Sequence, residues 1–396
     1  MRYPEFLKKR ESLGFIAPSF GCAIEPYRSA FQNSLKKWES LGYRALLGPN
    51  CYEGQGVGIS NTPQACGAEV NDFFLHQPVQ AILSCGGGEL MCEILDHVDF
   101  EAIGKAHPKW FMGYSDNTNL TFLLTTLCNQ ASIYGPCAPA FGMEPWHPSL
   151  KDAHGLLTGE KWTVESYDKW EKESLKDENH PLEPYHVTEK NRVLAFPQQD
   201  AAFSGRLLGG CMDCLVNLTG TRFDKVEEFC HTYRQDGIVW FLESCDLNVF
   251  AIRRALWQMK EAGWFRHAKG FLIGRPGVHG QQMMGLDQYQ AVTEVLKEFS
   301  VPVILDTDIG QTLRLQGVIS NLDGAAVQKV PANRLPSKFG FMLCHPLACT
   351  APVKLSSAQM HDNPPGVSGW LVEGRYNYGA FVTDNKKKGI YYQATT

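Results

Sequence analysis

Ser115 stands in the stretch Gly113-Tyr114-Ser115-Asp116-Asn117, behind an apolar run and ahead of an amphipathic one. A serine at a strand-to-helix turn presents its hydroxyl at the sheet edge, where the helix amino end offers N–H groups to a developing oxyanion. The layout is that of a nucleophile elbow without the second glycine of G-x-S-x-G. Helix capping by Ser115 or Asp116 is the commoner use of these residue types, and layout alone favours it. Cys85-Gly86-Gly87-Gly88-Glu89 also falls between a strand and a helix. Its bare backbone N–H groups suit a phosphate or an oxyanion, or the glycines serve a tight turn with positive φ. No phosphate-binding fingerprint accompanies it, so a nucleotide reading is weak. Glu243 closes the apolar run Trp240-Phe241-Leu242, either as a helix-start charge or as a carboxylate held near a cleft. Cys211-Met212-Asp213-Cys214 lacks the second pair of ligands that zinc needs, so the two thiols are expected to pack after a glycine turn.

These residues need a scaffold, and the chain alternates short apolar runs with helix-length segments. Strands are expected at 14–18, 44–47, 81–84, 110–113 and 132–134, with helices over 27–41, 63–76, 89–96 and 117–127. That alternation indicates βαβ units and a mostly parallel sheet whose ligand site lies beyond the strand carboxyl ends. Residues 141–192 break the rhythm with prolines, charges and Trp146, Trp162, Tyr167, Trp170 and Tyr185. A second α/β unit opens near Val193, with a turn over 204–210, strands at 237–242, 270–274 and 301–305, and helices over 248–262 and 285–298. The fold class is therefore α/β in two domains. A doubly wound, flavodoxin- or Rossmann-like parallel sheet spans 1–150, a linker with an aromatic-rich insert 151–192, and a second α/β domain 193–310. Residues 311–396 form a tail of little periodicity.

The chain has 396 residues, 44% of them hydrophobic and 20% charged, a globular balance. A formal net charge of −5 argues against nucleic-acid binding, which needs a basic face. No apolar stretch approaches the ~20 residues needed to span a bilayer, and no signal peptide opens the chain. Together these point to a cytoplasmic protein away from membranes. Thirteen cysteines, an odd count, are expected to be reduced and mostly buried.

The sequence resembles the LD-carboxypeptidase and microcin C immunity peptidase family of serine peptidases. The likeness rests on Phe15-Ile16-Ala17-Pro18-Ser19, Ser84-Cys85-Gly86-Gly87-Gly88, Gly113-Tyr114-Ser115-Asp116-Asn117-Thr118, Gly205-Arg206-Leu207-Leu208-Gly209-Gly210, Phe241-Leu242-Glu243 and Asp308-Ile309-Gly310. These occur in the family's order across residues 10–310, and the likeness turns the reading of Ser115 from cap to nucleophile. It implies a Ser-Glu-His triad in a cleft between two domains, with Ser115 as nucleophile and Glu243 orienting the histidine. The oxyanion hole would use backbone N–H groups of Gly87, Gly88 and Asp116. The implied reaction is hydrolysis of a terminal amide of a small peptide or peptide conjugate, such as a muropeptide, by a homodimer needing no cofactor or metal.

The chain departs from the family at the base. Where the family has Gly-His, this sequence reads Gly310-Gln311, and an amide cannot accept a proton at neutral pH. His279 is a candidate substitute, although an ordinary loop histidine is the favoured reading. Arg206 or Arg275 could grip a substrate carboxylate or be surface charges. Likeness fades abruptly after Gly310, which leaves three readings open: a shifted or recombined end, a divergent tail, or a pseudoenzyme that binds without cutting.

Overall fold

The computed structural model describes residues 1–197 and 201–310 in full and, further on, only the backbone of strands between positions 321 and 394. Met1–Arg314 form one compact unit and Leu315–Thr396 a second.

The first unit holds two five-stranded sheets. One is built from β1 (Ser12–Ile16), β2 (Arg44–Leu47), β3 (Ala81–Ser84), β4 (Trp110–Gly113) and β5 (Ile133–Tyr134). All neighbours are parallel, in the order β2-β1-β3-β4-β5. This is the flavodoxin-type doubly wound order, whose switch point lies between the first and third strands. β3 and β4 are buried along their whole length, which explains why they read as unbroken apolar runs. Helices α1 (Tyr27–Ser40), α2 (Pro63–Leu75), α3 (Phe100–Lys105), α4 (Thr118–Thr126) and α5 (Pro148–Thr158) accompany this sheet. α1 buries Phe31 and Trp38, two turns apart on one face. α2 starts where the Thr62 side chain accepts from the Ala65 amide, with Pro63 at the first position.

Three local expectations change. The helix expected over 89–96 is a 3-10 turn, Met91–His97. Its Met91 amide is given to the Asp116 carboxylate. α3 is only six residues long, too short to leave a periodic signal. α5 lies inside the stretch expected as connection and runs across position 150/151. It buries Leu150, Ala153 and Leu157 in the core beside Trp38 and Phe141. Beyond it, β6 (Lys169–Glu171) and β7 (Val187–Lys190) pair as an antiparallel hairpin.

The second sheet uses β8 (Leu194–Phe196), β9 (Arg206–Cys211), β10 (Ile238–Glu243), β11 (Ala268–Gly274) and, after the small hairpin β12 (Gln282–Met283) and β13 (Leu286–Asp287), β14 (Val303–Thr307). Its order is β8-β14-β11-β10-β9, parallel except for the antiparallel edge strand β8. Helices α6 (Met212–Leu218), α7 (Val226–Thr232), α8 (Val249–Glu261) and α9 (Gln288–Leu296) complete it. Asn248 caps α8 through the Ala251 amide, and Asp287 with Gln290 forms a capping box on α9.

The stretch 204–210, expected as a turn, contains most of β9. Its glycines permit contact instead of reversal. Gly209 has φ +154°, and a Cβ there would lie 1.7 Å from the Phe241 carbonyl oxygen of β10. At Gly210, φ +147°, a Cβ would lie 2.5 Å from the Thr118 methyl at the start of α4. Only glycine lets β9 lie this close to β10 and to the start of α4.

The halves share a core. Leu95, Phe122 and Leu123 pack with Trp240, Trp264, Phe265 and Phe271 of the second sheet's side. Phe122 stacks on Trp264 at 5.4 Å between ring centres, and Trp264 on Trp240 at 5.9 Å. Within the second unit, Val353–Asp362 and Trp370–Tyr378 pair as antiparallel strands. Among the described residues, no helix is long and apolar enough to cross a membrane.

Candidate active site

The carboxyl ends of β3, β4 and β5 and of β9, β10 and β11 carry the loops that meet between the sheets. Gly113 ends β4, and the chain turns at once: a Cβ at Gly113 would lie 2.8 Å from the Asn117 side chain. Ser115 follows with φ +60°, a left-handed conformation uncommon for a serine. Its backbone N–H donates to the Tyr134 hydroxyl at 3.0 Å. The Asn117 amide nitrogen holds the turn from inside, donating to the Gly86 and Tyr114 carbonyls at 2.7 and 3.1 Å.

Neither Ser115 nor Asp116 caps α4 with its side chain. The buried Asp116 carboxylate instead accepts from the Ser19 hydroxyl at 2.6 Å, the Met91 amide at 2.9 Å and the Asn119 amide at 3.1 Å. Burial lifts this carboxyl to about 6, against the pull of its hydrogen bonds from Ser19 and Met91. Asp116 thereby ties the loop after β1 and the segment after the glycine turn to the base of Ser115.

The turn at 86–88 does not use positive φ. Its glycines are needed for close approach: a Cβ at Gly88 would lie 2.2 Å from the Ser19 hydroxyl, and one at Gly86 2.9 Å from the Phe20 carbonyl. The Phe20 amide donates to the Gly87 carbonyl at 3.0 Å. Among the described residues, the Gly87 and Gly88 amides donate to no other group.

Glu243 is the last residue of β10 and is 1% exposed. It is not a helix-start charge, since Asn248 caps the next helix. The Tyr134 hydroxyl donates to Glu243 Oε1 at 2.5 Å. Glu243 Oε2 has no hydrogen-bond partner among the described residues. Gly310, φ +86°, lies against this carboxyl group: a Cβ there would lie 2.4 Å from Cδ and 2.7 Å from Oε2. Burial lifts Glu243 to about 7; Asp213 adds to the lift, while hydrogen bonds from Tyr134 and Cys211 oppose it.

Ser115 and Glu243 are thus brought together through one side chain, Tyr134, which sequence reasoning passed over. β5 is two residues long and pairs Tyr134 with Gly113, so its hydroxyl comes level with the turn into Ser115. A tyrosine in a short apolar run carries no signal of that task. Gln311 lies outside the described residues. His279 does not join Ser115 or Glu243; its imidazole lies 3.9 Å from Asp306 and packs edge-on against Trp170 at 5.1 Å.

The two arginines considered for substrate binding have other work. Arg275 is 3% exposed and is spent on the Asp308 carboxylate, the Asp306 carbonyl at 2.6 Å and the Asn191 side chain at 3.1 Å, with its guanidinium over the Trp170 ring. Asp308 also accepts from the Tyr167 amide and the Asn191 side chain, both at 2.9 Å. The insert therefore anchors the loop that leads to Gly310. Arg206 sits at the amino end of β9, paired with Asp236 and stacked over Tyr233, at the end of the strand away from Ser115.

Cys211 and Cys214 are free and buried. Bonding to Cys214 and burial hold the Cys211 thiol well above the ordinary thiol range, which makes it unreactive. No group of three or more metal-ligating side chains comes together among the described residues. The pair acts as packing: the Cys214 thiol donates to the Ser115 carbonyl at 3.6 Å, and the Cys211 amide to the Thr118 hydroxyl at 3.0 Å.

Comparison with known proteins matches residues 13–135 to the LD-carboxypeptidase N-terminal domain and residues 204–320 to the LD-carboxypeptidase C-terminal domain. The microcin C7 self-immunity protein MccF of Escherichia coli is 26% identical over 263 residues, 64% of this chain and 72% of that protein. A probable murein peptide carboxypeptidase of Bacillus subtilis (strain 168) is 27% identical over 274 residues, 68% of this chain and 73% of that protein. The solved structure of MccF in complex with aspartyl sulfamoyl adenosine superposes with a TM-score of 0.65 at 21% identity, covering 78% of this chain and 90% of that one. With both domains matched in order, and the two sheets arranged as in a solved relative, the chain belongs to the LD-carboxypeptidase family.

Proposed function

We propose that the chain is a serine-type hydrolase of the carboxypeptidase kind, built to open the terminal amide bond of a small peptide or peptide conjugate. The observation that carries this reading is the hydrogen-bonded line from the Ser115 amide through Tyr134 to Glu243 at the meeting of the two sheets. In the proposed reaction the Ser115 hydroxyl attacks the amide carbonyl, its proton passing to the carrier, and the Gly87, Gly88 and Asp116 amides receive the oxyanion; the C–N bond then breaks, the amine leaves with that proton, and water hydrolyses the acyl-serine to the free acid and Ser115. Glu243 orients the proton carrier. The substrate class follows from relatives: one is a probable murein peptide carboxypeptidase, and MccF has been solved with an aminoacyl sulfamoyl nucleoside.

Gln311 stands where that carrier belongs in the proposed triad, and a neutral amide does not take a proton from serine. Loss of one triad member costs roughly 10⁴–10⁶ in turnover in dissected examples. This residue favours a second reading, a ligand binder on the same scaffold. The test assays muropeptide tetrapeptides, aminoacyl-nucleotide conjugates and a fluorophosphonate probe on the chain as it stands, on Gln311→His and on Ser115→Ala. Turnover and labelling that appear in Gln311→His and vanish when Ser115→Ala is added support the hydrolase reading. Peptide binding by calorimetry with no labelling of any variant supports the binder.

A further inference from the structure

Tyr134 has one proton and two partners, and their chemistry fixes which way that proton points. The Ser115 backbone N–H, 3.0 Å away, can only donate, so the phenol oxygen accepts there. The phenolic proton is then committed to Glu243 Oε1 at 2.5 Å. Oε1 is occupied, and Oε2, lying against Gly310, is the oxygen left without a partner among the described residues. Phe241 packs on the Tyr134 ring at 5.5 Å between ring centres, and the register of β5 on β4 sets its height.

We propose that Tyr134 is a positioning residue that saturates one oxygen of Glu243, favours the charged over the protonated carboxyl, and so leaves the other oxygen, the one against Gly310, open to a proton carrier. The inference rests on the reading of Ser115 and Glu243 given above. It assigns Tyr134 two tasks at once: holding the left-handed Ser115 turn through its amide, and choosing the face of Glu243 that a proton carrier meets. Besides Tyr134, the titratable groups facing Glu243 among the described residues are Asp213, Cys211 and Cys214, from β9 and α6. Asp213 repels the charged form, and the Cys211 thiol supports it. Burial and the neighbouring Glu243 hold the Tyr134 hydroxyl far above its usual range, so it remains a neutral donor throughout.

The experiment reads Glu243 directly. Difference infrared spectra across pH report the protonated carboxyl band that Glu243→Gln removes, with and without Tyr134→Phe, in both the native chain and Gln311→His. A hydrogen bond to a charged group predicts that Tyr134→Phe raises the Glu243 midpoint by about one pH unit, a tenfold bias toward the protonated form. In the Gln311→His background, the acid limb of the Ser115 labelling rate should move up by the same amount. A merely structural tyrosine would lower the melting temperature and leave the midpoint in place, and that result overturns the proposal. Should Tyr134→Phe fail to fold, 3-fluorotyrosine at position 134, a stronger donor, must move the midpoint down; an unmoved midpoint is equally fatal. If Gln311→His labels at Ser115 but the midpoint is fixed, the inference fails alone. If the midpoint moves while no variant labels, the hydrolase reading fails, and the coupling of Tyr134 to Glu243 is upheld.

Discussion

Replacing Glu243 with glutamine removes a buried titrating group while preserving its shape, and the consequence for stability can be worked through. In the folded chain burial lifts this carboxyl from 4.5 to about 7. Each unit of difference between folded and unfolded values is worth about 1.36 kcal/mol, so the full effect is about 3 kcal/mol. Below the unfolded value both states hold the proton and Glu243 has its full stability. As pH climbs toward 7, the unfolded chain releases a proton that the folded chain retains, so stability falls until the folded carboxyl ionises. Glutamine cannot follow that course. The stability of Glu243→Gln minus that of the native chain should therefore rise by about 3 kcal/mol between the unfolded and folded values, then level off. Urea unfolding at half-unit pH steps measures it. Contributions from Asp116 and Glu69, also lifted by burial, cancel in the difference. A difference that stays flat, or falls with rising pH, would refute a buried carboxyl at this position.

Two other substitutions test the scaffold around the site. Gly209→Ala should cost more than about 4 kcal/mol, because a left-handed φ and a Cβ 1.7 Å from a backbone oxygen leave nothing that can yield; an unchanged urea midpoint would remove that contact. Arg275→Met leaves the partly buried Asp308 without its cation and should cost about 3 kcal/mol, with Arg275→Met/Asp308→Asn recovering part of the loss in a double-mutant cycle; additive losses would show that the pair is not coupled.

The strands near the site were legible because each is short, apolar and bounded by Gly, Pro or polar residues. β3, β4 and β10 lie within a residue or two of their expected limits. Longer helices such as α1, α2 and α8 also lie within a residue or two of their expected limits. What stayed hidden depends on tertiary contact. β9 read as a turn because glycine pairs look alike in a reversal and in a strand pressed by its neighbours. α5 was obscured by surrounding tryptophans and prolines, although its apolar residues face a core built far away in sequence. Arg275 looked available for a substrate because nothing local reveals that Asp308, 33 positions later, receives it. Ser115 and Glu243 were singled out through family motifs, whereas the tyrosine hydrogen-bonded to both was not, since a hydroxyl shared by two strands leaves no local pattern.

The stacking of Phe122 on Trp264 bears on how this molecule can move. The helix that starts just past Ser115 is embedded in the hydrophobic interior of the opposite half, so prising the walls apart would tear aromatic rings out of a dry core. A hinge opening of one half against the other would have to break these ring contacts. In the proposed reaction, selection among substrates would then rest on the surface loops around Ser115 and Glu243, which can vary without disturbing the shared interior beneath.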